Sequence, residues 1–322
     1  MPGPGPRAFA TLGMFIIGGG GTYANLGARI WLPPHALGML VDVGPDFDPA
    51  MRRALDAYGP AMWLFRPRTD GAGTTRARNA YVGDRRGFEY LTPRIRLTPR
   101  DLAPTPLAAP RHLHFICSPA RAAAIVAELR ALAWAPTTVF EPIPDRCVPE
   151  ELPALVAVLP SIHILSPNAE EALSLLSLPL PATRPAIESA CATFLALGVG
   201  PAGSGSVIIR SGAMGAYVAS RARAGVWVDA FWGDKDAARV VDVTGAGNAF
   251  LGGLVAGLVE TEGDVSQAVL YGTVSASYTI EQKGLPRLTR AAPAADDAAD
   301  EEWNGDSPRA RLEALRARVG GQ

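Results

Sequence analysis

The sequence has little of what several classes of protein require. Its three cysteines, Cys117, Cys147 and Cys191, lie far apart, which fits neither a disulfide framework nor a zinc site and favours a reducing compartment. The formal net charge is -1, so the chain lacks the basic excess of a nucleic-acid surface. No apolar run reaches the length of a membrane helix. We therefore expect a cytoplasmic protein without a nucleic-acid or membrane partner.

What the chain does have is enough apolar sequence for a large core. It contains 322 residues, of which 48% are hydrophobic and 19% charged. Strand and helix patterns alternate from about residue 110 onward, which predicts an α/β fold with a mainly parallel sheet covered on both faces. We expect a flexible arm over residues 1–10, a domain over 11–290 and, over 291–322, a linker followed by a short helix.

The N-terminal region allows two interpretations. Arg7 followed by the apolar run Ala8 to Ile17 is similar to the charged and apolar regions of a signal peptide. The glycines that follow, together with Thr22 and Tyr23, make a poor cleavage site. We therefore interpret residues Leu12 to Ile17 as a buried strand.

One stretch, Val240 to Leu258, carries the most chemical information. A β-branched run meets Asp242 and Thr244, then Gly245-Ala246-Gly247, and an apolar helical run follows from Ala249. Such a turn into a helix aims free backbone N–H groups at one point, at the positive end of the helix dipole. This predicts a phosphate site. Asn248 is the first side chain after the glycines, where it could act on the group that attacks the phosphate.

This stretch resembles the second signature of the PfkB/ribokinase family of sugar kinases, Asp-Thr-Thr-Gly-Ala-Gly-Asp before an apolar helix. It is particularly similar to the fungal killer-virus maintenance type, which also tends to carry Asn after its glycines. The chain departs from the family pattern at Val243 and Asn248. The resemblance implies a ribokinase-like three-layer α/β/α sandwich, ATP as phosphoryl donor, and catalytic roles for Gly245, Ala246, Gly247 and Asn248.

Asn168 and Glu171 resemble the family's Asn-x-x-Glu motif, which implies that they hold Mg²⁺, a cation that prefers oxygen ligands. The same spacing is also that of a helix capping box.

The turn from Arg210 to Gly215 resembles the family's Thr-x-Gly-x-x-Gly turn, with Arg210 in place of Thr. The guanidinium could still pair with phosphate. The resemblance implies ATP binding by Arg210, Gly212, Gly215, Asp242, Thr244 and Gly284.

The residues Gly20, Gly21 and Asn25 resemble the family's first signature, and Asp46 lies in the Gly-x-Asp turn that usually follows it. The resemblance implies that these four residues bind the acceptor. A rival interpretation takes Gly19 to Ala24 as a dinucleotide fingerprint with Asp42 as the ribose-binding acid. That alternative does not account for the Gly-Ala-Gly helix.

His112 and His114 share one face of a strand, and we interpret them as packed rather than metal-binding.

Two departures from the family shape the predicted function. Asn248 cannot take a proton as a carboxylate does, and a positioned base contributes roughly 10²–10⁴-fold to a rate. Ile17 runs directly into Gly18, so the segment that holds an acceptor-binding Asp and part of a β lid is missing, and we expect the lid to be reduced or absent. We predict a slow ATP-dependent kinase acting on a sugar-like hydroxyl. The alternative is a non-catalytic protein of the same fold that binds nucleotide or a partner; the acceptor and the oligomeric state stay open.

Overall fold

The computed structural model describes residues 17–82, 85–290 and 300–320, so the predicted arm and nearly all of the predicted strand Leu12 to Ile17 lie outside the described residues. The helices are α1 Gly20–Arg29, α2 Pro49–Asp56, α3 Pro99–Leu102, α4 Pro119–Ala131, α5 Leu152–Val158, α6 Ala169–Leu175, α7 Arg184–Leu197, α8 Ala246–Glu260, α9 Val265–Thr279 and α10 Pro308–Gly320. The strands are β1 Met39–Val43, β2 Trp63–Pro67, β3 Ala77–Val82, β4 Arg85–Tyr90, β5 His112–Cys117, β6 Thr137–Pro142, β7 Ile164–Leu165, β8 Ser206–Arg210, β9 Ala216–Ser220, β10 Val226–Val228, β11 Leu288–Arg290 and β12 Glu302–Trp303.

A six-stranded sheet with the order β10-β9-β8-β7-β6-β5 forms the centre of the fold. The four strands β5 to β8 are parallel, and β9 and β10 add antiparallel neighbours at one edge. Two further strands, β1 and β2, form a separate parallel pair, while β3 and β4 form an antiparallel hairpin. The prediction of a mainly parallel central sheet is confirmed.

Alternate residues of the central strands belong to two separate hydrophobic clusters. Val139, Ile164 and Ile208 pack with α8 and α9 on one face. Their neighbours Phe140 and Leu165 pack with α4 to α7 on the other face. Because successive side chains of a strand point to opposite faces, the sheet is covered on both sides and the fold has three layers.

The two helices α1 and α8 approach each other through glycines. A β-carbon on Gly27 would lie 2.1 Å from the carbonyl oxygen of Ala249, and one on Gly252 would lie 1.7 Å from that of Ala24. Only glycine allows α1 and α8 to pack at this separation. The hydroxyl of Ser275 in α9 accepts from the indole N–H of Trp31 and donates to the carbonyl of Gly27. This packing brings the N-terminal ends of α1 and α8 together.

The described part of the predicted linker, residues 300–310, is folded against the domain. Trp303 is fully buried, and the carboxylate of Glu301 pairs with the guanidinium of Arg29 through two hydrogen bonds of 2.6 Å. The polar composition of this segment did not indicate this packing, because only one Trp and one ion pair attach the segment to the domain. The predicted terminal helix is present as α10, which packs on α9 through Leu312 and Leu315. Residues 291–299 lie outside the described residues.

All three cysteines are free and buried. In the part of the chain that the structure describes, no helix combines the length and the apolar character needed to cross a bilayer.

Candidate functional site

The candidate site lies where the carboxyl ends of the central strands meet the N-terminal end of α8. Glu141 stands near the end of β6, Ser166 directly follows β7, and Arg210 ends β8. Since these strands are parallel neighbours, their ends lie side by side at one edge of the sheet. Open α/β sheets commonly bind ligands at this edge.

Gly245 sets the geometry at the start of α8. Its backbone is left-handed, with φ 84° and ψ −8°, and a β-carbon there would lie 2.4 Å from the ring of buried Tyr23. The carboxylate of Asp242 accepts from the N–H of Thr244 at 2.9 Å and shapes the loop before it. Among the described residues, the backbone N–H groups of Gly247 and Asn248 have no acceptor. The predicted anion-binding turn therefore has free donors at the positive end of a helix.

Asn248 lies against Gly20, at the start of α1. Its amide oxygen is buried, has no hydrogen-bond partner in the described part of the chain, and lies 2.7 Å from the point that a β-carbon on Gly20 would occupy. The structure thus brings together Gly20, which was predicted to bind the acceptor, and Asn248, which was predicted to be catalytic. A buried oxygen without a donor is costly, which suggests that a bound group or an ordered water satisfies it.

Arg210 is held from two sides. Its Nη2 donates to the carboxylate of Glu141 at 2.7 Å and to the carbonyl oxygen of Ser166 at 3.1 Å. Its Nη1 lies 2.1 Å from the position that a β-carbon on Gly247 would take. The guanidinium therefore reaches from the end of β8 to the first turn of α8, and Gly247 leaves the space for it.

Glu141 and His114 are site residues that the sequence reasoning missed. The Nε2 of His114 lies 3.5 Å from an oxygen of Glu141, and both side chains are buried. Burial opposes ionisation of Glu141, but Arg210 and His114 outweigh it and hold the pKa of that carboxyl below its usual value. A lone carboxylate in an otherwise apolar strand, directly before Pro142, was the available signal.

Asn168 and Glu171 form the capping box that the sequence allowed. The Asn168 side chain accepts from the N–H of Glu171 at 2.8 Å, and the Glu171 carboxylate accepts from the N–H of Asn168 at 2.7 Å. Burial raises the pKa of Glu171 to about 7, although Arg210 acts against this. Within the described ranges, no group of three His, Cys, Asp or Glu side chains is arranged to hold a metal. The backbone contact of Glu171 uses only one of its two carboxylate oxygens, and the role of both residues toward Mg²⁺ stays a prediction.

Buried polar atoms without partners concentrate at this site. Eight such side-chain atoms lack a hydrogen-bond partner among the described residues, and five of them belong to His114, Glu141, Ser166, Arg210 and Asn248. Two of the five, His114 Nε2 and Glu141 Oε2, lie 3.5 Å apart as a longer ion-pair contact. Native structures pair nearly all buried polar groups with protein or water. This concentration at the end of the sheet points to a place where a polar ligand or ordered water completes the hydrogen bonding.

Comparison with known proteins agrees with this geometry. Residues 105–289, more than half of the chain, match the family model of pfkB family carbohydrate kinases. The chain belongs to the pfkB family. It is 30% identical to an uncharacterized protein of Schizosaccharomyces pombe over 94% of this chain and 91% of that protein. It is 31% identical to protein MAK32 of Saccharomyces cerevisiae over 90% of this chain and 82% of that protein.

Solved structures share the fold of this pfkB chain. The ribokinase of Arabidopsis thaliana complexed with ribose and ATP has a TM-score of 0.64 at 19% identity, covering 98% of this chain and 93% of its own. An E. coli protein in complex with ATP and Mg²⁺ has a TM-score of 0.59 at 21% identity, covering 86% and 88%. The predicted ribokinase-like fold is confirmed.

The remaining nucleotide-side residues of the pfkB pattern lie in turns around this edge. Gly212 and Gly215 have φ of 56° and 88° in the turn between β8 and β9. A β-carbon on Gly215 would lie 2.0 Å from the carbonyl oxygen of Val228, so this position requires glycine. Gly284, at φ 85°, follows α9, and the N–H of Asp242 donates to Ile280 at the end of that helix. Their contact with nucleotide stays a prediction.

The predicted acceptor residues divide into two groups. Gly20 contacts Asn248, and Gly21 lies beside Met39 at the start of β1. The buried Asn25 donates instead to the carbonyl oxygen of Met62 at 3.4 Å. Asp46 accepts from the N–H of Thr74 at 2.6 Å and pairs with Arg76 at 2.8 Å, and these contacts, the Thr74 N–H first, lower the pKa of its carboxyl.

The rival dinucleotide interpretation finds no support in the contacts of its acid. Both oxygens of Asp42 are bound by Arg66, at 2.6 and 3.1 Å. The acid of a dinucleotide site instead bonds the ribose hydroxyl. Family membership and the engaged Asp42 together favour the kinase fold over the dinucleotide interpretation.

Proposed function

We propose that this protein transfers the γ-phosphoryl group of ATP to a hydroxyl of a sugar or sugar-like acceptor, and does so slowly. The observation that carries the proposal is the buried amide oxygen of Asn248, which has no hydrogen-bond partner among the described residues and lies against Gly20 of α1. Family membership and the fold support the reaction class. The Arabidopsis neighbour was solved with ribose and ATP, which supports the choice of substrates.

In this proposal, each part of the site has a separate role. The free N–H groups at the end of the Gly245–Gly247 turn, those of Gly247 and Asn248, would stabilise charge on the transferring phosphoryl group. The amide oxygen of Asn248 would accept a hydrogen bond from the acceptor hydroxyl and orient it without removing its proton. Positioning and charge stabilisation supply most of the catalysis in phosphoryl transfer, so activity survives without a carboxylate base.

The nucleotide would lie along the turn that contains Gly212 and Gly215, with Gly284 near the base. Mg²⁺ would neutralise phosphate charge and keep most of its waters; an E. coli neighbour was solved with ATP and Mg²⁺. The hairpin of β3 and β4 would serve as a reduced lid. A cytoplasmic location fits the supply of ATP.

A second candidate function is a non-catalytic protein that binds nucleotide. Two observations favour it, namely the amide at position 248 and the closed capping box of Asn168 and Glu171. This candidate predicts ATP affinity without turnover for any acceptor.

The Asn248→Asp variant separates the two candidates. ATP binding is first measured by calorimetry, and phosphorylated product is then followed over a panel of sugars with the parent and the variant. We expect slow turnover by the parent and a gain of roughly tenfold or more in the variant, which is the lower part of what a positioned base contributes. Gln267→Glu is the matched control, because it also converts an amide into a carboxylate, and Gln267 is exposed in the first turn of α9.

Each result has a distinct meaning. ATP binding without product in either protein supports the non-catalytic candidate. Parent turnover that Asp at position 248 does not increase contradicts the orienting role of Asn248. No ATP binding by the parent protein overturns the nucleotide-dependent function itself.

A further inference from the structure

Arg210 divides its guanidinium between two tasks. Its Nη2 is used by Glu141 and by the carbonyl of Ser166. Its Nη1 has no hydrogen-bond partner among the described residues and faces Gly247 in the first turn of α8. The planar guanidinium carries N–H donors that point in both directions, whereas the ammonium group of a lysine is a single point charge.

The surroundings fix this cation in place. The Arg210 side chain is only 11% exposed, and Glu141 is 9% exposed, so their ion pair at 2.7 Å is shielded from water. Glu171 adds a second carboxylate at 3.8 Å from Nη2. A guanidinium keeps its charge throughout the physiological pH range. The site therefore contains a guanidinium that stays charged, with the Glu141 carboxylate on one side and the free N–H groups of α8 on the other.

The same contacts leave little opportunity for a metal ligated by the protein. The carboxylate of Glu171 is already bound by the N–H of Asn168 and neighbours Arg210, and the side chain of Asn168 is bound by the N–H of Glu171. A divalent cation bound at Glu171 would lie close to the Arg210 guanidinium, which is 3.8 Å from that carboxylate, and the like charges would repel each other. Nη1 of Arg210 can supply to a phosphate part of the charge that a metal would supply.

We propose that Arg210 is a built-in cation of the phosphate site, which binds the terminal phosphate of the nucleotide through Nη1 and makes nucleotide binding independent of a divalent metal. Glu141 is the positioning residue that holds the guanidinium toward α8. This inference rests on the proposed function, since it assumes that the ligand is a nucleotide.

Calorimetric titration of the full-length protein tests the inference. ATP is titrated once in EDTA and once in Mg²⁺, and adenosine is titrated as a probe without phosphate. The variants are Arg210→Gln and Arg210→Lys. The matched control is Arg223→Gln, because Arg223 also pairs with a carboxylate, that of Asp264 at 2.8 Å, and lies beyond Ser220, which pairs with the opposite end of β8.

We expect the parent and Arg223→Gln to bind ATP in EDTA within about threefold of their affinity in Mg²⁺, because a charged hydrogen bond to phosphate is already in place. Arg210→Gln should lose about tenfold or more in EDTA, the usual worth of a charged hydrogen bond, and keep its affinity for adenosine. Because Arg210→Gln leaves Glu141 without its partner and could unfold, Arg210→Lys provides a second test. We expect it to remain folded by circular dichroism and to lose ATP affinity in EDTA, with Mg²⁺ restoring part of it.

Two outcomes would overturn the inference and leave the proposed function intact. One is a parent that binds ATP in Mg²⁺ and not in EDTA. The other is a folded variant at position 210 that binds ATP in EDTA as tightly as the parent does. If the parent binds ATP under neither condition, the proposed function fails as well, so the two failures are distinguishable.

Discussion

The amide oxygen of Asn248 lies 2.7 Å from the point that a β-carbon on Gly20 would occupy. The two residues stand at the first turns of α8 and α1, which are separated by most of the chain. Their approach depends on the glycines through which these two helices pack, Gly27 and Gly252. The proposed acceptor site is therefore built by helix packing and not by a single loop.

This relationship predicts the effect of Gly20→Ala. The new methyl group would meet the Asn248 oxygen and the Cδ1 of Ile116, each at 2.7 Å, so α1 or α8 must shift. We expect a loss of about 1–3 kcal/mol in the free energy of unfolding, as for other overpacked positions. Urea denaturation measures it, with Gly233→Ala as control.

Gly233 suits this control because a β-carbon there has open space around it and its φ is −95°. We expect Gly233→Ala to change the free energy of unfolding by no more than about 0.5 kcal/mol. Equal small effects of the two substitutions would show that α1 and α8 can separate at no cost.

The second prediction concerns pH and Glu171. Its pKa is raised by burial from 4.5 to about 7, so the folded protein holds this proton more tightly than the unfolded chain does. As pH rises from 4.5 toward 7, the unfolded chain releases the proton first, and the contribution of Glu171 to the free energy of unfolding falls, by about 3 kcal/mol at most.

The variant Glu171→Gln removes this ionisation and keeps an oxygen that can accept from the N–H of Asn168. We expect the stability of the variant relative to the parent to rise between pH 5 and pH 8, measured by urea denaturation at both values. The variant Glu170→Gln, at the exposed neighbouring position, controls for the loss of one negative charge. A difference between Glu171→Gln and the parent that is the same at both pH values would contradict this prediction.

The third prediction concerns the C-terminal segment. In the variant Glu301→Gln, the side chain of Arg29, which is 5% exposed, would lose its charged partner. Breaking a buried pair in this way costs about 3–5 kcal/mol. Urea denaturation should show a loss of that order in the free energy of unfolding.

The neighbouring position offers the matched control for this pair. Glu302 pairs with Arg290 at 3.1 Å, but that pair is exposed to solvent. We expect Glu302→Gln to cost about 1 kcal/mol or less. If Glu301→Gln cost no more than Glu302→Gln, residues 300–320 would not be anchored to the domain as the structure indicates.

Local pattern was enough to predict much of the fold and part of the site. The helix that follows Gly245, the strand His112–Cys117 and the capping box at Asn168 each depend on residues close together in sequence, and the structure contains all three. A glycine with a positive φ and a hydrogen-bond acceptor at a helix start affect only nearby residues. The local sequence therefore indicates both features. The mainly parallel arrangement of the central strands also followed from their alternation with helices.

Contacts between distant residues could not be predicted in the same way. Arg210 and Glu141 are 69 positions apart, and nothing near either residue indicates that the other balances its charge. Trp303 and Glu301 lie in a polar stretch, and their burial depends on Arg29, which is 272 positions from Glu301.

The sequence by itself determined the Gly-Ala-Gly turn, the family and the amide at position 248, because each depends on adjacent residues. Only the tertiary structure decided what surrounds that turn. It set a buried guanidinium beside the free N–H groups of α8, engaged Asn168 and Glu171 with each other, and placed the Asn248 oxygen against Gly20. Packing decides these points because the strength of a charge or a hydrogen bond depends on burial and on partners that only the folded chain brings near.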